Sequence, residues 1–433
     1  MPRILLVKSP CFYFSLCISL LLLSPSVFAQ TSSFTDALEQ AEQILEAGNY
    51  EESLASNRKM EGDFQEMEEL ERVQLLKQRA YLLTKIGEKD SSVIYLQEAI
   101  QLLQKDSLNQ LPLYGRLMYD LAFSSISQNP GNPQIESYLE ESQKIREEHD
   151  PENVGETQHL KANLFMKRGN FPGAIQIFEP LIEQKENISK HLLARCHNDY
   201  GISLIFMRKH NEARASLIRA MELFEESYGT DEHPDMINGL SYLGYISGVV
   251  GKLYSGRKYC EAALKLQQKF FPPDHPELAI IYYYLGGIYN NMQEAEKGLA
   301  AFQESIRIDD IHSGPQMSPR KANFYMSLGA SYKGIKDYDR SLEANQKAVD
   351  FFESMPNGHP FMDQLYANIG MTYFDKRDLK NAQSYLDKSM EMALAKFPET
   401  HPSMVTRYTA YAKLYEEKKE HQKALEYWEK AAA

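Results

Sequence analysis

Four histidines, His233, His275, His359 and His401, each stand directly before a proline. Imidazole is the commonest metal ligand in proteins and a ready general base, so a recurring histidine first raises the question of ligation or catalysis. The four pairs are spaced 42, 84 and 42 residues apart. A zinc ion holds its ligands at about 2 Å, whereas equivalent residues of stacked helices lie roughly 8–10 Å apart. Histidines at one place of a repeat therefore do not converge on one ion. The proline gives the other role: it is tolerated in the first turn of a helix and forces the residue before it to be extended. His-Pro reads as a helix start, with the histidine bonding the turn or cap.

Other candidate chemistry fails on geometry. Cys196 and His197 adjoin, but neighbours on a helix point about 100° apart and cannot act as nucleophile and base. The sequence has no G-x-S-x-G, H-E-x-x-H or C-x-x-C motif and no glycine-rich phosphate loop. No catalytic residue, cofactor site or metal site is expected, so the chain is read as a non-enzyme. Acidic runs such as Glu66–Glu71 read as solvated helix faces.

The elements that carry these residues must come from a well-folded chain. Its 433 residues are 43% hydrophobic and 25% charged, enough to bury a large core. The formal charge of -13 excludes nucleic acid as a partner, since phosphate binding draws on clustered Lys and Arg. Arg3 and Lys8 precede an apolar run, Cys11–Leu23, which Ser24-Pro25 breaks before the small residues around Ala29. This predicts a signal peptide over residues 1–29, and hence export to a periplasmic or extracellular compartment. Its loss would remove two cations and take the chain from -13 to -15. Nothing after Gln30 is apolar for long enough to insert in a membrane. Cys11 and Cys17 fall in the leader, and Cys196 and Cys260, on different helices of neighbouring repeats, are not expected to pair.

The 42-residue step defines an internal repeat. Eleven residues after each His-Pro histidine comes Gly244, Gly286, Gly370 or Ala412, and Gly329 holds the same place in a unit whose proline, Pro319, comes one place late. Further small residues follow twelve positions on (Gly256, Gly298, Ser341, Ala382, Ala424) and nineteen on (Ala263, Ser305, Ala348, Ser389, Ala431). Small residues at fixed offsets, with aromatic residues such as Tyr289, Phe302, Tyr332 and Tyr373 between them, describe two antiparallel helices, A then B. Such a pair cannot bury its apolar face alone and must stack on the next.

Leu285-Gly286-x2-Tyr289, Leu328-Gly329-x2-Tyr332 and Ile369-Gly370-x2-Tyr373 resemble the first half of the tetratricopeptide repeat signature, with Tyr282, Tyr325, Tyr366 and Tyr408 at its tryptophan place. The 42-residue period with His-Pro between units is similar to the kinesin-light-chain type, which exported bacterial proteins also use. The resemblance implies an all-α, right-handed superhelical solenoid. Anchors at residues 41, 80, 122, 162, 201, 244, 286, 329, 370 and 412 predict about ten units. Residues 30–190 hold the degenerate N-terminal units and 191–433 the regular ones.

In that family helix A lines a concave groove through its places two, five, six, nine and twelve, counting the first small residue as eight. Carried over, this makes Arg195, Asn198, Asn238, Tyr242, Tyr245, Tyr283, Tyr284, Asn290, Asn323, Lys333 and Asn368 the groove candidates, and it splits the Tyr282-Tyr283-Tyr284 run into one packing residue and two that face a ligand. Asparagines suit the main chain of an extended peptide, and tyrosines give broad apolar contact with an orienting hydroxyl. The expected function is an exported, non-catalytic scaffold that binds peptide or protein partners, with Tyr242, Tyr245, Tyr283 and Tyr284 as the main anchors. The alternative is the binding arm of a larger protein, because Ala431-Ala432-Ala433 ends inside helix B of the tenth unit with no polar capping helix. Exported repeat arrays of this kind resemble those joined to CHAT-type peptidase domains or histidine kinases. Tyr427 and Trp428 at the same end are where a homodimer could form.

Overall fold

A computed structural model describes residues 25–64, 67–105, 112–355, 359 and 361–432, with side chains from residue 34. The leader expected over residues 1–29 lies outside the described residues up to residue 24. The described residues form twenty α-helices and no strand. They pair as α1 (Pro25–Glu46) with α2 (Tyr50–Asp63), α3 (Glu69–Ile86) with α4 (Lys89–Lys105), α5 (Pro112–Gln128) with α6 (Gln134–His149), α7 (Val154–Lys167) with α8 (Phe171–Glu183), and α9 (Lys190–Phe206) with α10 (His210–Tyr228). The later pairs are α11 (Met236–Val249) with α12 (Leu253–Phe270), α13 (Leu278–Asn291) with α14 (Ala295–Ser313), α15 (Pro319–Gly334) with α16 (Tyr338–Glu353), α17 (Met362–Asp375) with α18 (Leu379–Leu394), and α19 (Val405–Glu417) with α20 (His421–Ala432). Each pair is one unit of the expected ten, and odd-numbered helices are the A helices.

The small anchors explain why each pair closes. Ala41, Ala80, Ala122, Ala162 and Ala412 are fully buried. Where the anchor is glycine, helix B comes closer still: a Cβ on Gly286 would sit 2.8 Å from the Phe302 ring, and one on Gly370 2.9 Å from Leu386 Cγ. The residue twelve places on is serine in three units, and its hydroxyl donates to the anchor's carbonyl: Ser53 to Ala41 at 2.8 Å, Ser92 to Ala80 at 2.7 Å and Ser341 to Gly329 at 2.8 Å. A small polar residue thus satisfies itself inside a tight apolar seam.

Each A helix also ends in the same way. Seven residues after the anchor, the chain turns through a left-handed residue, which is Gly48, Gly87, Gly169 and Gly251 in units 1, 2, 4 and 6, but Arg208, Gln293, Lys336, Arg377 and Lys419 in units 5 and 7–10. This is a helix-terminating conformation that glycine adopts without strain and other residues at a cost. Unit 3 departs from it, with Asn129-Pro130-Gly131-Asn132-Pro133 as its turn.

The His-Pro histidines prove to be turn formers. The Nδ1 of His233, His275, His359 and His401 accepts the backbone N–H two residues on, at 3.2, 3.3, 3.3 and 3.2 Å. Each ring also packs on an aromatic residue of the preceding segment: Tyr228 at 3.5 Å between centroids, Phe271 at 4.6 Å, Phe352 at 3.8 Å and Phe397 at 4.4 Å. Pro234 and Pro276 lie just before their helices instead of inside the first turn. Helices α11 and α13 begin two residues after these prolines, because each proline belongs to a short turn such as Met236 N–H to His233 O at 3.1 Å.

The array does not run as an open spiral throughout. The α1–α2 turn reaches the start of α11, where His233 Nε2 is 3.0 Å from Glu46 O and a Cβ on Gly48 would overlap the Pro234 ring. Tyr50 packs on Phe271, with centroids 5.7 Å apart, and its hydroxyl reaches Asp235 at 3.5 Å, 185 residues away in sequence. Lys85 on α3 donates to the same carboxylate at 3.2 Å, and Tyr228 at 2.7 Å. The first five units therefore close on the sixth. At the other end Tyr427 of α20 turns inward to stack on Tyr411 at 4.9 Å and Tyr415 at 5.6 Å, while Leu425 stays exposed.

Candidate functional site

The A helices place a continuous surface on the inner side of the array, and its chemistry changes along it. Counting places from the anchors, units 2 to 5 contribute Lys77 and Tyr81 from α3, Arg116, Tyr119 and Asp120 from α5, Glu156, His159 and Asn163 from α7, and Arg195, Asn198 and Asp199 from α9. This wall holds both signs of charge. Lys77, Arg116, Glu156 and Arg195 are half-buried and Asp120 is buried. Burial pushes the Asp120 carboxyl above its usual range, against the pull of Arg116 and Lys77. Burial acts on Glu156 in the same sense, but Arg195, Arg116 and Arg146 outweigh it and hold that carboxyl below its usual range.

His159 organises the centre of the wall. Its Nε2 lies 3.0 Å from Asp199 Oδ2, and its Nδ1 faces Arg195 Nη2 at 3.2 Å and Asn163 Nδ2 at 3.3 Å. Two donors on Nδ1 put the ring proton on Nε2, toward the carboxylate. Burial and the Arg195 charge lower its pKa, so the ring is neutral. Arg195 also donates to Tyr119 Oη at 3.4 Å, and Arg146 from α6 lies over the Tyr119 ring at 4.6 Å. Arg116 Nε is buried with no hydrogen-bond partner.

Units 6 and 7 replace charge with aromatic surface. Tyr245 and Tyr284 rings lie 4.9 Å apart and Tyr242 and Tyr284 5.9 Å apart, all half-buried, and the Tyr242 and Tyr284 hydroxyls bond each other. Burial, then Tyr242, holds the Tyr284 hydroxyl well above its usual range. Tyr283 stacks instead toward Phe324 at 5.0 Å and Phe302 at 5.7 Å, both core residues, so it gives much of its ring to packing, as does Tyr282. Asn238 is exposed at the edge between the two halves, bonded to Asn198 at 3.3 Å; Asn198 itself is buried, its amide also donating to Asp199 at 2.9 Å.

The remaining candidates lie apart from this surface or are engaged in packing. Asn290 accepts from Ser331 at 3.0 Å and its amide occupies the space that a side chain on Gly298 would need. It ties α13 to its neighbours. Lys333 pairs with Asp375 at 3.2 Å, linking α15 to the end of α17. Asn323 and Asn368 are half-buried on α15 and α17. Sequence reasoning missed the wall of units 2 to 5 apart from Arg195 and Asn198. The signal was present, since the same place-counting from Ala80, Ala122 and Ala162 gives Lys77, Arg116, Asp120, Glu156 and His159.

Nucleophilic chemistry finds no support in the cysteines. Cys196 and Cys260 are unpaired and buried, and burial pushes both thiols up to about 12. His197 bonds Ser216 at 3.2 Å on the facing helix. Among the described residues no group of three or more His, Cys, Asp or Glu side chains is placed to hold a metal ion, and no helix is long and apolar enough to cross a membrane.

The fold defines a class, the helix-pair solenoid. Within that class, two stretches of the chain match tetratricopeptide-repeat models, and the chain is similar to a kinesin-light-chain-related protein. Models described as "Tetratricopeptide repeat" match residues 361–433 and 193–235. The chain is similar to the Protein KINESIN LIGHT CHAIN-RELATED 1 of Arabidopsis thaliana, 25% identical over 176 residues, 40% of this chain and 28% of that protein. It is also similar to the DnaJ homolog subfamily C member 7 of Homo sapiens, 27% identical over 99 residues, 23% of this chain and 19% of that protein. The matched regions thus span less than a third of either relative. Among solved structures, the apo form of RapI is similar with a TM-score of 0.53 and 16% identity, covering 74% of this chain and 96% of that one. The apo form of the quorum sensor NprR from B. thuringiensis has a TM-score of 0.52 and 12% identity, covering 73% of this chain and 86% of that one. Proteins built of these repeats act as protein–protein interaction scaffolds and are generally non-catalytic.

Proposed function

We propose that the protein is an exported, non-catalytic scaffold that holds an extended peptide segment of a partner along the concave side of units 2 to 7. The observation that carries this reading is the Tyr242–Tyr245–Tyr284 surface lying directly beside a wall of half-buried charges of both signs. The aromatic half supplies desolvated contact area with hydroxyls to orient it. The charged half supplies donors and acceptors for a peptide main chain and its polar side chains, with neither sign in excess. A ligand of high charge is disfavoured, because each cation of the wall already faces an acid. Export rests on the leader read over residues 1–29.

The test is peptide selection on the purified protein followed by affinity measurement. Aromatic anchors of this kind cost about 2 kcal/mol or more when truncated, so Tyr245→Ala/Tyr284→Ala should weaken a selected peptide by roughly 30-fold or more while keeping the helical circular dichroism. Unchanged affinity, or unfolding of the variant, would show these tyrosines to be packing residues and sink the assignment. Mass spectrometry of protein recovered from outside the cytoplasm should find Gln30 at the N-terminus, and finding Met1 would refute the leader.

A further inference from the structure

The edge of the array formed by the A-to-B turns of units 4, 5 and 6 has a composition unlike the rest of the chain. Residues 164–173, 204–211 and 247–258 together contain seven Lys and Arg and no Asp or Glu, in a protein of formal charge -13. The corresponding turns of later units all carry acids, such as Glu294 and Glu296, Asp337 and Asp339, and Asp375 and Asp378. Helices α7, α9 and α11 stack side by side, so their C-terminal turns lie along one edge.

The same edge exposes large apolar side chains. Phe206 is 53% exposed, Met207 42%, Val249 48% and Tyr254 58%, four of the twelve exposed large hydrophobic residues among those described. Phe206 is fixed in place by stacking on Phe171 of the previous unit, centroids 4.2 Å apart and rings within 5° of parallel. Lys258 lies 4.9 Å over the Tyr254 ring. Lys167, Arg208 and Lys252 are exposed beside these tips.

We propose that this edge is a peripheral docking surface for an anionic lipid bilayer. Charge complementarity selects an anionic occupant, and exposed apolar side chains interleaved with cations match the headgroup layer of a bilayer. Phe206, Met207, Val249 and Tyr254 sit at or beside helix ends in two successive turns, exposed and interleaved with Lys and Arg. Headgroup-depth insertion asks only for apolar tips flanked by Lys and Arg that meet lipid phosphates. The negative remainder of the molecule then orients the edge toward the membrane and leaves the concave surface free, so the two binding modes are independent.

The test uses the full chain carrying Trp428→Phe and Met207→Trp, which leaves one indole, at the edge. It is mixed with vesicles of phosphatidylcholine alone or with one third phosphatidylglycerol. The apolar run at Cys11–Leu23 would insert in either vesicle, so the local indole and the lipid-charge dependence are the discriminating readouts. The expected result is a blue-shifted indole emission with anionic vesicles only, reversed by high salt. Arg208→Glu/Lys252→Glu, at exposed positions that leave the fold intact, should weaken that response about tenfold or more. An emission unchanged by anionic vesicles, or one equally shifted in the charge-reversed variant, would overturn the proposal. So would loss of binding to an acidic protein in that variant with vesicle binding intact, which would assign the edge to a protein partner.

Discussion

A histidine before a proline can look like a ligand, a base or a switch, and here the ring's acceptor nitrogen settles its role. With Nδ1 of His275 and His359 receiving a backbone N–H, both rings work as neutral acceptors, and burial lowers both pKa values from the usual 6.5. A histidine depressed in the folded state stays neutral there while the unfolded chain takes up a proton. Stability is therefore full above about pH 6.5 and falls as pH drops from that value toward the depressed pKa. His275→Asn/His359→Asn keeps a side-chain acceptor without a titrating group, so its melting temperature should fall less between pH 7 and 5 than that of the wild type. Equal slopes for the two proteins would contradict this. The turn-forming role was legible from the proline alone, whereas the aromatic stacking was not, since nothing in Phe352 or Phe397 marks it as the platform for a ring several residues away.

At the scale of the helix pair, sequence and structure agree closely because packing is local. The offsets of seven, twelve and nineteen residues from each anchor lie within one hairpin, so period and small-residue placement suffice to read them. Gly244 is the tightest case, as an added Cβ would overlap Cys260 Sγ and lie 3.1 Å from Gly256 O. Overpacking of this kind costs about 1–3 kcal/mol, and Gly244→Ala should lower the urea midpoint accordingly. Adding Cys260→Ala should recover part of the loss, and no recovery would place the strain on the Gly256 backbone instead. The turns predict the opposite sign. Lys336 has φ +63 and is exposed, so Lys336→Gly exchanges a left-handed penalty of about 1–2 kcal/mol for a glycine entropy cost of about 0.5–1 kcal/mol. A net gain of about 0.5 kcal/mol should appear as a raised midpoint; a lowered one would mean that the lysine side chain holds the turn. Glycine at this place, as at Gly48 and Gly169, is a turn signal the sequence displays, but the non-glycine residues conceal it in half the units.

At the scale of the whole molecule the sequence was least informative. Closure of units 1–5 onto unit 6 depends on superhelical curvature, the sum of small rotations at every unit interface, and no periodic signal reports such a sum. Asp235 is its hub. Burial raises its pKa, yet Lys85, His191 and His233 together hold it well below the usual carboxylate range. Breaking a fully buried pair costs about 3–5 kcal/mol, and with Lys85 24% and Asp235 21% exposed the cost falls to about 2 kcal/mol. Asp235→Ala should therefore speed hydrogen exchange in α2 and α3 while leaving α17 to α20 unchanged. Uniform loss across the chain would show that Asp235 holds the general core and no closure.

The same contact alters how the chain can reach its native state. A stack of hairpins folds through neighbours only, so nearly all of its pairings are close in sequence and form quickly, from whichever unit nucleates first. Joining Tyr50 to Asp235 across 185 residues belongs to a set of pairings that no single hairpin can make, and it becomes possible only after the four intervening units have set their mutual rotations. Refolding then acquires a late step that reads out the accumulated geometry of the first half, and an error in any unit along that arc is detected there as a failure of the two ends to meet.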